Sequence, residues 1–260
     1  MSHISPNAFV HPNAKIGQNV TIEPFAYIDD NTEIGDGTHI MSGANIRSGA
    51  RLGKNCTVFP GAVVSGVPQD LKFAGEDSLV TVGDNTTIRE GVTINRGTKA
   101  KGVTIVGSHC LLMAYSHVAH DCILKDHVIL GNSTQLAGEV EVENFAILSG
   151  GALVHQFTRI GEHVMIQGGT RLGKDIPPYV IAGREPVSYA GINLVGLRRR
   201  GFSNEQINQI QEIYRLIYSS GYNFSDAIAK IEQEFAPTPE MKLIVNFVKN
   251  SPRGIVRGYL

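Results

Sequence analysis

Within six residues the sequence places two imidazoles and a carboxylate, His117-Val118-Ala119-His120-Asp121-Cys122. A histidine side chain ordinarily titrates near neutral pH, so it can accept a proton during group transfer. A carboxylate beside it can hold the ring and set its tautomer. The competing account is local: Asp is common at tight corners for turn reasons alone. A second feature is Arg198-Arg199-Arg200, whose planar forks suit phosphate or an acidic surface, or which forms a solvated basic turn before a helix. The three cysteines, Cys56, Cys110 and Cys122, could be reactive or simply small and buried.

These residues sit in a chain whose aliphatic side chains recur every sixth position. The frame runs from Ile4 through Val10, Ile16, Ile22, Ile28, Ile34, Ile40, Ile46, Leu52 and Val58 to Val64, and continues to Leu172. Only Asp70, Glu76 and Ala100 break it. An α-helix needs apolar residues at three and four, and a half-buried strand at two, so a period of six is an internal repeat. Four residues after each aliphatic stands a small or β-branched residue, such as Ala8, Ala14, Val20, Ala26, Thr32, Ala44, Cys110 and Ala146. Just before it comes a residue that tolerates positive φ: Asn13, Asn19, Asn31, Gly37, Gly43, Asn55, Gly91, Asp121, Gly151. Short strand, tight corner and short strand again make a parallel β-helix of hexapeptides, whose known examples are left-handed and three-sided. Roughly ten coils would make a prism on the order of 45–50 Å long.

In this frame Val118 and Cys122 point inward, which leaves His120 and Asp121 outside or at the corner. All three cysteines fall on the small inward position and read as buried hydrophobes, with neither disulfide nor metal set expected. His109, His127 and His163 occupy corners, while His3, His11 and His39 lie in the scaffold half; all six read as structural or merely exposed. Two stretches leave the register. Ser65 to Glu76 must exit as an outward loop, and such loops carry binding residues. The basic, glycine-rich Arg96 to Gly102 reads as a flexible solvated loop or a ligand or partner contact.

The repeat stops near Asp175 at Ile176-Pro177-Pro178-Tyr179, and irregular chain is expected to Gly201. Ser203 and Gln206 have capping-box spacing and open a helix ending at Gly221, with Ile207, Ile210, Ile213, Tyr214 and Ile217 on one face. Further helices are expected from Ser225 to Phe235 and from Pro239 to Lys249. The expected division is a β-helix over 1-190, with outward loops near 66-80 and 96-104, and a helical domain over 191-260 that covers the end of the solenoid. A net charge of −1 argues against a generic polyanion binder. With no leader and no long apolar run, a soluble cytoplasmic protein is expected.

Several motifs together resemble the UDP-N-acetylglucosamine O-acyltransferases that begin lipid A synthesis. They are His117 to Cys122, Gln69-Asp70-Leu71-Lys72-Phe73-Ala74-Gly75-Glu76, Val154-His155-Gln156-Phe157, Asp175 to Ala182, and Gly196 to Ser203. Single hexapeptides are common to many acyltransferases; these motifs in this order are specific, and they cover essentially the whole chain. The resemblance implies transfer of a 3-hydroxyacyl chain from acyl carrier protein to the glucosamine 3-hydroxyl. It assigns His120 as general base, Asp121 as its orienting partner and the Gly138 backbone N–H as oxyanion donor. It further implies that Gln69, Asp70, Lys72, His117, His155 and Gln156 line the sugar and acyl cleft. Asn193, Arg199 and Arg200 would meet the nucleotide, its phosphates or the carrier. No metal or redox cofactor is implied, and a homotrimer with sites between subunits is. The chain departs from the family pattern at Glu139, where a His is frequent, and at Val195, where an acidic residue is frequent.

Other readings of the motifs are a hexapeptide transferase using a coenzyme A thioester and the sister N-acyltransferase, which carries an extra N-terminal domain. A γ-type carbonic anhydrase would need three zinc-binding histidines. A scaffold without activity would leave the His120–Asp121 pair, the two loops and the arginine run unexplained together. In the family, chain length is set by how far the acyl cleft stays open, and Gly168 aligns with that ruler. A long acyl chain is expected, and Gly168→Met should shift preference toward a shorter one. Mass spectrometry of products from a mixed set of carrier thioesters would read the shift, and an unchanged preference would remove Gly168 from the ruler.

Overall fold

The computed structural model describes residues 2–258. Its N-terminal part is a left-handed parallel β-helix of three sheets with eleven, nine and eight strands. Most strands are two residues long, and each pairs in register with the strand one coil away. Like therefore stacks on like. In the first sheet Ile4, Ile22, Ile40, Val58, Ile88, Leu112, Leu130, Leu148 and Ile166 form one continuous ladder. The inward aliphatics from Ile22 onward are buried, and each contributes about 1.5–3 kcal/mol relative to exposure.

The corners are built from single residues in the left-handed region. Asn19, Asn31, Gly37, Gly43, Asn55, Gly91, Asp121 and Gly151 have positive φ as expected, and Asn13 does not. Bulky residues occupy the same conformation at other corners, including His109, Tyr115, His127, Phe145, Phe157 and His163. A non-glycine residue there costs about 1–2 kcal/mol. Along one corner row that cost is offset by ring stacking. His109, His127, Phe145 and His163 lie 4.9, 4.5 and 4.9 Å apart with their rings nearly parallel, and Tyr179 stacks 5.7 Å beyond. Phe202 meets His163 edge-on at 5.1 Å. These corner histidines thus form a packed column, and His163 is buried.

Both interruptions of the repeat leave from one corner row, between the nine-stranded and the eight-stranded sheets. The first connects strand Val63–Gly66 to strand Leu79–Val82, and the second connects Thr93–Asn95 to Val103–Val106. The second is solvated only at its tip, Lys99 to Lys101. Gly97 and Thr98 are buried, and the segment closes over the next coil.

After the last coil, Val180–Gly183 and Ser188–Ile192 form an antiparallel hairpin where irregular chain was expected. Helices follow at Leu194–Arg199 (α1), Asn204–Ser219 (α2), Phe224–Glu234 (α3) and Pro239–Lys249 (α4). The Ser203–Gln206 capping box is present, and Asn223 and Thr238 cap α3 and α4. Tyr214, fully buried, donates its hydroxyl to Pro178 O. The returning C-terminal segment pairs with the end of the β-helix, Val256 N–H donating to Asp175 O. The cysteines are free and buried, and burial pushes the thiols of Cys110 and Cys122 to about 11 and about 12. Among the described residues no helix is long and apolar enough to cross a membrane.

Burial, assisted by the charge of Arg200, drives the His163 imidazole down from 6.5 to about 4. The unfolded chain therefore binds that proton more tightly, and stability is lost as pH falls from about 6.5 toward about 4. By linkage the loss at pH 5 reaches about 2 kcal/mol. His163→Phe keeps a ring in the column and removes the titration. Its urea midpoint should fall less between pH 7 and pH 5 than the parent's, and equal falls would contradict the assignment.

Candidate active site

The corner row that releases both loops also carries His120, Gly138 and Gln156 on successive coils. Beside it the nine-stranded sheet presents His117, Gln135, Leu153 and Arg171, stacked in register one coil apart. Together with Gln69, Asp70 and Lys72 from the first loop, these residues line an open cleft of about 1080 Å³. Eight residues to which the family resemblance assigned roles, Gln69, Asp70, Lys72, His117, His120, Gly138, His155 and Gln156, converge there.

At its centre His120 Nδ1 lies 2.9 Å from Asp121 Oδ2. Asp121 is not on the outside. It is completely buried, because the Arg96–Gly102 segment folds over it. Its carboxylate accepts from the Thr98 N–H at 3.0 and 3.1 Å, the Thr98 hydroxyl at 2.6 Å and the Lys101 N–H at 3.1 Å. Burial alone would raise the carboxyl, but the donors from Thr98, His120 and Lys101 outweigh it and hold the group below its ordinary value. An ionised Asp121 can only accept, so Nδ1 carries the proton and Nε2 presents its lone pair.

His120 Nε2 is 3.8 Å from Asp70 Oδ2. The other oxygen of Asp70 accepts from Lys72 N–H at 2.9 Å, which fixes the carboxylate on its loop. Glu76 then ties the two loops together, accepting from Ala74 N–H at 2.8 Å and from Lys99 N–H at 2.9 Å. His117 Nδ1 meets Thr93 Oγ1 at 2.7 Å. Burial holds its imidazole below the usual value, with His120 adding to the effect and the bond to Thr93 opposing it.

Gly138 is a glycine because of approach. It has no positive φ, yet a Cβ on it would stand 2.6 Å from His120 Cε1 and Nε2. The imidazole lies across its Cα. Among the described residues the Gly138 N–H has no protein acceptor.

The remaining candidates lie elsewhere on the single chain. Asn193 is buried as the cap of α1, accepting from Gly196 N–H and donating to His163 O at 2.9 Å. Arg200 packs over Phe145 and donates to Phe145 O at 3.1 Å. Arg199 is exposed on α1, and Gly168 is exposed at the corner on the far side of the nine-stranded sheet. None of the four lines the cleft. Conversely, Gln135, Leu153 and Arg171 stand in the cleft wall but belong to none of the sequence motifs. Reading every third hexapeptide from His117 would have found them, because residues one coil apart share a face.

Residues 175–256 match the family described as Udp N-acetylglucosamine O-acyltransferase, domain 2, and residues 31–66 and 104–138 match bacterial transferase hexapeptide repeats. An acyl-[acyl-carrier-protein]–UDP-N-acetylglucosamine O-acyltransferase of Chlorobaculum parvum is 49% identical over 78% of this chain and 78% of its own. The same-named protein of Thermodesulfovibrio yellowstonii is 46% identical over 79% of this chain and 80% of its own. The chain belongs to this family. A UDP-N-acetylglucosamine acyltransferase structure from Bacteroides fragilis superposes with a TM-score of 0.96 at 59% identity, covering 98% of this chain and all of that one.

The packing of His120 on Gly138 gives a direct test. In Gly138→Ala the methyl must displace the ring, while the backbone conformation suits alanine. Activity is expected to fall about a hundredfold with the fold retained, and a crystal structure should show His120 rotated. Unchanged activity with an unmoved ring would refute the close approach.

Proposed function

We propose that this chain transfers a 3-hydroxyacyl group from acyl carrier protein to the 3-hydroxyl of UDP-N-acetylglucosamine, the first step of lipid A synthesis, with His120 as general base. The observation that carries the reading is the His120–Asp121 dyad at the centre of the cleft, in a chain of this family. The sugar hydroxyl approaches Nε2, gives up its proton there, and its oxygen attacks the thioester carbonyl. Asp121 stabilises the imidazolium through Nδ1, and Asp70 faces the newly protonated Nε2. Carbonyl π electrons move onto oxygen, where the unused Gly138 N–H supplies a hydrogen bond. As the intermediate collapses the C–S bond breaks, and the carrier's thiolate leaves with the proton from His120. Across the step the sugar O–H and the thioester C–S bond break, and an ester C–O and a thiol S–H bond form.

Gln69, Asp70, Lys72, His117, His155 and Gln156 hold sugar and acyl chain on this wall. The cleft is open along one side, and a homotrimer gives it a second wall from a neighbouring copy. Gly168, Asn193, Arg199 and Arg200 then act across that boundary, the exposed Arg199 on nucleotide phosphate or carrier and Gly168 on acyl length. Use of acyl carrier protein and a sugar nucleotide as substrates supports a cytoplasmic location.

Purified parent and His120→Ala should be incubated with UDP-N-acetylglucosamine and a series of 3-hydroxyacyl carrier-protein thioesters. The parent should acylate the sugar nucleotide, and the variant should lose roughly 10²–10⁴ in kcat/KM. Turnover only with coenzyme A thioesters would reassign the donor, and full activity in the variant would remove His120 as base.

A further inference from the structure

The Arg96–Gly102 segment adds a layer to the acyl-transfer site, and the role it suggests for Thr98 rests on the acyl-transfer reading. We propose that Thr98 is a positioning residue for His120, acting through Asp121. Thr98 is only 6% exposed and cannot touch substrate. Its hydroxyl donates to Asp121 Oδ2 at 2.6 Å, and that same oxygen accepts from His120 Nδ1 at 2.9 Å. The hydroxyl also accepts from Ala100 N–H at 3.2 Å, which directs its own hydrogen toward the carboxylate.

The arrangement does more than satisfy a buried charge. Three backbone contacts, two from Thr98 N–H and one from Lys101 N–H, already hold the carboxylate. A third donor, the Thr98 hydroxyl, is placed on the oxygen that faces the imidazole. Oδ2 therefore divides its negative charge between a fixed hydroxyl at 2.6 Å, the longer Thr98 N–H contact at 3.1 Å and the ring, and the carboxylate plane cannot turn. Asp121 is pinned from behind as well, its own N–H donating to Thr104 Oγ1 at 2.8 Å. A hydroxyl at position 98 thus sets both the direction of the Nδ1 bond and the strength with which Asp121 retains an imidazolium.

Parent, Thr98→Val, Thr98→Ser and His120→Ala are assayed with a 3-hydroxyacyl carrier-protein thioester and UDP-N-acetylglucosamine, between about pH 5.5 and 9. Thr98→Val should lower kcat about tenfold to a hundredfold, with KM for both substrates within about twofold of the parent. One donor fewer leaves the carboxylate holding the imidazolium more strongly, so the acid limb of kcat/KM should move to higher pH. Thr98→Ser restores the hydroxyl and should return both readings to the parent's. An intact kcat with an unmoved limb in Thr98→Val overturns the proposal. So does a lowered melting temperature with an unmoved limb, which assigns Thr98 to the fold alone. Where valine does not give folded protein, Thr98→Ala is read in the same way. Full activity in His120→Ala is a different failure, because it overturns the base assignment and Thr98's role with it.

Discussion

The inward aliphatic of each hexapeptide rests on the inward aliphatic one coil below, and every other feature of the molecule is hung on that contact. Strands of two residues cannot hold themselves together by their few hydrogen bonds. They persist because burial of Ile, Leu and Val along three continuous ladders fixes the register of each coil on the next. A slip of one residue would expose a whole ladder, so the corners must fall in rows. Those rows then become the places where side chains accumulate at a constant spacing.

Two rows use this differently. One collects rings at positive φ and joins the coils to the helical tail, His163 and Tyr179 meeting Phe202 while Phe145 meets Arg200. The other collects His120, Gly138 and Gln156 and releases both loops. An insertion in a solenoid can leave only outward at a corner, so two insertions in one row stack against each other and against the coil above. The floor and one side of the cleft follow from that geometry, with Glu76 as the link between the loops.

Burial of Asp121 is the main electrostatic expense of the site. An unpaired carboxylate in that position would abandon its charge. Here the second loop surrounds it with donors, so the group stays ionised and accepts from His120. The glycine at 138 has a matching steric role. With no Cβ it lets the imidazole approach the next coil closely, and the ring is held between a charged partner and a backbone surface. Orientation of His120 is thus set from two directions by groups on three different coils.

The period of six, the inward and corner positions, the capping box at Ser203 and the motifs around His120 are all local patterns. The β-helix, the helical tail and the family resemblance were therefore legible from the residues alone. The broken register marked the loop that carries Gln69 and Asp70, and spacing marked His120, whereas His117, Gly138 and His155 were named through the family resemblance. The burial of Asp121 was not legible, since nothing in the hexapeptide rule says that a loop one coil away will fold back over a corner. Nor was the structural employment of Asn193 and Arg200, whose side chains are engaged with His163 and Phe145 across the junction with the tail. Only the tertiary structure decided these points. Contacts between coils, loops and tail depend on distances through space, and a periodic sequence fixes those along the ladder but not across it.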